Sequence, residues 1–279
     1  EESDFAPSNA ERVLLTGASG MLGRESALAL LRAGYTVRVF QRSDSGIAAL
    51  LPDTIRPRSE QVRGSLTNRQ AIEQALTGVN GIVHAAAKVS VSGDWRDYER
   101  VNIEGTKSLL DAAVEHAIPK FLYISSPSVA HAGAALVGAG NGYSSPEHAR
   151  GNYARSKAVA EKAVLQMNGT ALSTGEHLCT GALRPHLIWG PGDTQLVERI
   201  LERARAGRLP LLSGGTGLID TLYIDNAADA VVHGYERLEA LAGRAVVVTN
   251  GQPRTVAELM SGFCTAVGIP APRFSVPAP

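Results

Sequence analysis

A chain of 279 residues is far longer than a mini-protein that depends on disulfides, and it can bury a sizeable core. Hydrophobic residues at 44% and charged residues at 19% lie near the globular average, away from the low-hydrophobicity, high-charge regime of disorder. Because 27 Lys and Arg balance 27 Asp and Glu, no overall positive field draws in nucleic acid or an anionic bilayer, and any anionic ligand has to be held locally.

The opening residues Glu1 to Ala10 are acidic and polar where a secretory leader is basic and then apolar. No stretch approaches the roughly 18 apolar residues of a membrane span. These features lead us to expect a soluble, cytoplasmic protein. Cys179 and Cys264 are too few for a disulfide framework and lack metal-finger spacing, so both are expected as reduced, buried thiols.

Along the chain, short apolar runs at 13–16, 36–40, 81–85, 121–125, 181–184 and 245–248 alternate with longer helical windows. That alternation predicts βαβ units and an α/β fold built on a doubly wound parallel sheet. The first run leads into Thr16-Gly17-Ala18-Ser19-Gly20-Met21-Leu22-Gly23 and then a helix over 21–33 that stops at Gly34. In this strand–turn–helix setting Gly17 permits the tight turn, Gly20 lets the backbone approach a pyrophosphate, and Gly23 lets helix and strand pack closely. The helix N-terminus supplies free N–H groups, so a bound dinucleotide is expected here.

The second run ends Val39-Phe40-Gln41-Arg42. An acid at that strand end would bind the ribose 2′-OH and select NAD, whereas the guanidinium of Arg42 suits a 2′-phosphate. NADP(H) is therefore the expected cofactor, with NAD(H) the alternative. Further on, a helix is predicted over 97–117, and Phe121-Leu122-Tyr123-Ile124 runs into Ser125, Ser126 and Ser128 at the carboxyl end of a strand, where open α/β sheets bind ligands. A helix over 152–167 carries Tyr153 and Lys157, whose spacing puts phenol and ammonium on one face. Both helices are richer in apolar residues than one core-facing stripe requires, which predicts a homodimer through them. After Pro191 the rhythm loosens, with Pro210, Gly214, Gly215 and Gly217 close together. A dinucleotide-binding region is expected over 1–190 and a smaller substrate-binding region over 191–279, whose end, Ser275 to Pro279, brings no clear closing element and leaves room for a longer region.

Taken together, the glycine turn, the Tyr153-Ala154-Arg155-Ser156-Lys157 motif and the serine cluster resemble the short-chain dehydrogenase/reductase superfamily, in particular its extended branch, over nearly the whole chain. The resemblance implies a Rossmann domain with Ser126, Tyr153 and Lys157 as the catalytic triad and Asn102 contributing to a water-linked proton path. It also implies that Gly17, Ser19, Gly20, Met21, Leu22, Gly23, Arg42, Ser65, Leu66, Ala85, Ala86 and Pro185, with Tyr153 and Lys157, contact the cofactor. Ser65 departs from the aspartate common near the adenine in this family. Pro127-Ser128 replaces the Asp-Glu pair of sugar-nucleotide dehydratases, which argues against dehydration chemistry.

Within the branch, Ser126-Pro127-Ser128-Val129 and Leu183-Arg184-Pro185-His186-Leu187-Ile188-Trp189-Gly190-Pro191 look most like the 3β-hydroxysteroid dehydrogenase group, which includes 2-alkyl-3-oxoalkanoate reductases. The expected function is hydride transfer between nicotinamide and a hydroxyl or ketone of an apolar small molecule. Ile219 stands where epimerases carry a diphosphate-binding arginine, although Arg254 is another candidate for that task. A nucleotide-sugar epimerase would share every triad residue, and a non-catalytic NADP sensor is a third reading whose usual loss of Tyr or Lys is not seen here. His84, His131 and His186 have no metal-ligand spacing, so no metal is expected. His84 reads as a packed, hydrogen-bonded side chain, and His186 as a candidate for substrate contact.

Overall fold

A computed structural model describes residues 11–89, 93–130, 141–142, 144–194 and 196–277. The acidic, polar stretch Glu1 to Ala10, His131, and Ala278 and Pro279 lie outside the described residues.

The chain forms two compact units, interleaved in sequence. The first takes in Glu1–Pro185 and Ala227–Val248, and the second His186–Asn226 and Thr249–Pro279. In chain order the elements are β1 (Arg12–Thr16), α1 (Met21–Arg32), β2 (Thr36–Gln41), β3 (Ser59–Arg63), α2 (Arg69–Leu76), β4 (Gly81–His84), α3 (Trp95–Tyr98), α4 (Gly105–Glu115), β5 (Lys120–Ile124), α5 (Asn152–Gln166) and β6 (Cys179–Pro185). There follow β7 (Leu187–Trp189), α6 (Val197–Arg205), β8 (Leu211–Leu212), β9 (Leu218–Ile219), β10 (Thr221–Tyr223), α7 (Ile224–Glu236), β11 (Ala245–Val248), β12 (Arg254–Thr255), α8 (Val256–Ala266) and β13 (Ser275–Val276).

The first unit is a 7-stranded sheet in the order β11-β6-β5-β4-β1-β2-β3, parallel throughout. Its inner strands are buried on both faces, and the two-residue period sends alternate side chains to opposite cores. Leu14, Ile82, Phe121 and Tyr123 meet Ile72 of α2, Leu109 of α4 and Val164 of α5 on one side. Val13, Leu15, Val83 and Leu122 meet Leu30 of α1 and Val231 of α7 on the other. The doubly wound Rossmann sheet expected from the sequence is therefore the fold. The region expected over 191–279 is not one continuous block, because α7 packs back on the sheet and β11 bonds to the outer edge of β6, Ala245 opposite Ala182. In the second unit, Ile200 of α6, Leu209 and Cys264 of α8 form a small core of their own.

Between α3 and α4, Glu99–Glu104 forms a wider, π-helical turn that interrupts the helix expected over 97–117. Gly105 N–H closes it by reaching back to the Arg100 carbonyl, five residues away. Such turns push a side chain out of the regular helical array, and here the turn contains Asn102.

Candidate active site

The glycine turn is held by contact between backbones. Gly17 has φ +84°, and a Cβ there would lie 2.6 Å from the Ala86 nitrogen, so no side chain fits between β1 and the residues after β4. At Gly23 a Cβ would come within 2.1 Å of the Gly17 carbonyl oxygen. Gly20 differs, since the nearest atom to its Cβ would be 3.5 Å away, leaving its outer face open to a ligand. Gly20 caps α1 without a side-chain hydrogen bond, and no acidic residue sits in the first turn that follows, which contains Met21 and Leu22. The leading amides of α1 thus have no side-chain acceptor, as a pyrophosphate site requires.

Beside this turn lies a cavity of about 320 Å³ lined by Gly17, Ser19, Arg42, Ser65, Leu66 and Ala86 among others. These sequence-predicted residues come together because β1, β2, β3 and β4 all end at the same edge of a parallel sheet. Gln41 and Arg42 close β2 on the cavity wall, with Arg42 exposed. Ala85 lies directly under Gly17, and Pro185 is buried at the carboxyl end of β6 opposite Val248.

The second group of predicted residues gathers around the ends of β5 and α5. Ser126 acts on the Tyr153 phenol, whose pKa it lowers, and stands 2.9 Å from the Ser128 hydroxyl. Ser125, by contrast, is buried with its hydroxyl unpartnered among the described residues. Burial raises the pKa of Tyr153, and the Ser126 hydroxyl works against that rise. Lys157 is 2% exposed, donates to the Ile124 carbonyl at 2.6 Å and rests 4.1 Å from the centre of the Tyr123 ring. Desolvation lowers its pKa to about 7, with Glu161 one turn further along α5 opposing the drop. Asn102 accepts from the Lys88 amide at 2.7 Å and donates to Ser156 Oγ at 2.9 Å, which ties the π-helical turn to α5. His186 opens the second unit. Among the described residues no three His, Cys, Asp or Glu side chains are grouped to hold a metal, and no helix is long and apolar enough to cross a membrane.

The sequence profile of the 3-beta hydroxysteroid dehydrogenase/isomerase family matches residues 14–277, which include both groups. The chain belongs to this family. It is thereby an NAD(P)-dependent oxidoreductase. With the 2-alkyl-3-oxoalkanoate reductase of Stenotrophomonas maltophilia (strain K279a) it is 38% identical over 270 residues, 93% of this chain and 76% of that one. With the decarboxylating sterol-4-alpha-carboxylate 3-dehydrogenase of Mus musculus it is 32% identical over 281 residues, 97% of this chain and 72% of the other. The solved structure of Bordetella bronchiseptica WbmG in complex with NAD superimposes with a TM-score of 0.76 at 19% identity, covering 99% of this chain and 83% of that one, a likeness of fold.

In this 3-beta hydroxysteroid dehydrogenase/isomerase family member, several groups around Ser126, Tyr153 and Lys157 escape a motif-based reading. Tyr123 and the Ile124 carbonyl are set by strand register, and nothing in their spacing connects them to Lys157. The carboxylate of Glu161 forms a doubly hydrogen-bonded pair with Arg184, at 2.6 and 2.9 Å, and both side chains are at most 1% exposed. Glu161 continues the spacing from Tyr153 to Lys157 by one more helical turn, a signal the sequence does carry.

Proposed function

We propose that the protein is an NADP(H)-dependent oxidoreductase that interconverts a hydroxyl and a ketone on an apolar substrate such as a 3-oxo lipid or a sterol-like ring. The observation that carries this reading is the Ser126 hydroxyl acting on the Tyr153 phenol, with Lys157 buried one turn along the same helix. The uncapped α1 amides and the open face of Gly20 fit a dinucleotide pyrophosphate, and Ser65, Leu66, Ala85 and Ala86 would line its adenosine. Arg42 would take the 2′-phosphate, while Tyr153, Lys157 and Pro185 would face the nicotinamide end. When bound, the nicotinamide supplies or takes up hydride.

The chain's own residues handle the proton. Tyr153 donates it to the ketone oxygen in reduction and recovers it in oxidation, and Ser126 orients that oxygen. The Lys157 ammonium favours the tyrosinate through opposite charge. The apolar-substrate reading is supported by the names of the relatives above and by Ile219, a half-buried apolar residue on β9. Arg254 stands directly across from Ile219 in the β9–β12 pairing, but its charge acts on the neighbouring Glu258 carboxylate.

The test follows NADPH and NADH oxidation with a long-chain 2-alkyl-3-oxo acid and a 3-ketosteroid, with UDP-glucose interconversion assayed in parallel. Ketone-dependent oxidation of NADPH is expected. Arg42→Ala should weaken NADPH binding by about 1–3 kcal/mol, the range for a charge-assisted contact, and leave NADH binding nearly unchanged. Equal losses for both nucleotides would sink the NADP assignment, and sugar interconversion without net cofactor turnover would sink the oxidoreductase reading.

A further inference from the structure

A run of hydrogen bonds, continued from backbone to side chain through the covalent frame of Asn102, crosses the first unit from the residues beside the glycine turn to α5, and its direction follows from the groups at each step. Ser156 Oγ lies 2.8 Å from the Tyr153 carbonyl, which can only accept, so the hydroxyl donates there and receives Asn102 Nδ2–H at 2.9 Å. Thr106 Oγ1 lies 2.7 Å from the Asn102 carbonyl and likewise donates. His84 Nε2, 2.9 Å from Thr106 Oγ1, must then carry the proton. The other ring nitrogen, Nδ1, accepts from Thr16 Oγ1 at 2.7 Å, and that oxygen receives the Ala86 N–H at 3.1 Å. The imidazole is neutral, because burial and the charge of Lys157 push its pKa down to about 3. Thr16, His84, Asn102, Thr106 and Ser156 are each at most 1% exposed, so water cannot replace a missing partner.

Every donor in the run points toward α5. At one end, Ala86 forms part of the cofactor cavity and packs against Gly17. At the other is the carbonyl of Tyr153 itself. Tyr123 and Phe121 pack around the imidazole, with ring centres 5.6 and 5.9 Å away, and fix its plane.

We propose that His84 and Thr106 are positioning residues that tie the nucleotide-binding turn to the helix carrying Tyr153 and Lys157, so that seating the nucleotide and placing the proton donor are one coupled event. This rests on the nicotinamide-cofactor reading above. The test titrates NADPH and NADH by nucleotide fluorescence against the full chain and its Thr106→Val, Thr106→Ser, Ser156→Ala and Thr106→Val/Ser156→Ala variants, with the melting temperature of each. Neither Thr106 nor Ser156 lines the cavity, yet each of the two disruptive single variants should weaken nucleotide binding about fivefold or more. Thr106→Ser keeps the hydroxyl and should stay within about twofold of the parent. The double variant should bind about as weakly as the weaker single, because both changes cut the same chain.

Folded single variants that bind within about twofold of the parent, or losses that multiply in the double variant, would overturn the coupling. Should Thr106→Val fail to fold, Ser156→Ala decides alone by the same criterion. A parent that binds neither nucleotide would remove the cofactor reading and the coupling with it. A parent that binds while its variants match it would remove the coupling only.

Discussion

Lys157 is a cation held where water does not reach, and its chemistry follows from that conflict. Burial lowers its pKa from 10.5 to about 7, while Tyr153, raised by its own burial, stays protonated across the neutral range. If the ammonium is the form that favours the tyrosinate, kcat/KM for ketone reduction should fall above about pH 7 with a one-proton slope. Lys157→Met should lose that limb and run slower throughout. Stability should move the other way. Between about pH 7 and 10.5 the unfolded chain holds a proton at this lysine that the folded chain has released, so folding gains as pH rises. Urea midpoints of the parent and Lys157→Met, compared at both ends of that window, should converge toward the alkaline end. Tyr153→Phe keeps the ring, so nucleotide binding should survive while turnover falls by about 10²–10⁴. Full turnover in this variant would show that another group delivers the proton.

At the scale of elements, the β1–α1 turn separates what a glycine does for folding from what it does for binding. Gly23→Ala drives a Cβ into the Gly17 carbonyl, which should cost about 1–3 kcal/mol and lower the melting temperature by several degrees. Gly20 has φ −84°, which alanine adopts freely, and the nearest non-neighbouring atom to the added carbon among the described residues is the Gly17 carbonyl oxygen, at 3.5 Å. Gly20→Ala should therefore melt near the parent and still bind nucleotide poorly. Calorimetry and a fluorescence titration of both variants check this, and a poorly folded Gly20→Ala would mean the turn is tighter than its geometry indicates. The turn is legible in the sequence because glycine type and spacing are themselves the signal. The inner strands are legible for a related reason, being buried on both faces and hence continuous apolar runs. β3 is not, since its residues Ser59-Glu60-Gln61-Val62-Arg63 form a sheet edge where Glu60 pairs with Arg12 and Arg38. The π-helical turn leaves no trace in the apolar periodicity, and the Ile124 carbonyl under Lys157 is a property of backbone register. The site is thus readable where side-chain type is the determinant and silent where the backbone supplies the group.

For the molecule as a whole, Val159 and Ala163 lie one turn apart on α5 and stay partly exposed, while Ala154, Ala158, Ala160 and Val164 are buried, the last two in the core against the sheet. A second copy packing its own α4 and α5 there would cover them, and C2 pairing is the commonest way to do so. Light scattering at micromolar concentration should return twice the chain mass, and Val159→Glu should return one chain mass with the fold retained. A monomeric parent would leave this stripe without that explanation. The interleaving of the units also bears on how the protein is made. Until residue 248 has left the ribosome, β6 is the bare margin of a hydrophobic sheet, offering its unpaired amides and carbonyls to any passing strand. A nascent chain halted between β6 and β11, or a gene truncated there, would hold most of the residues proposed to bind nucleotide and yet be a template for aggregation, dependent on chaperones for as long as that last strand is missing.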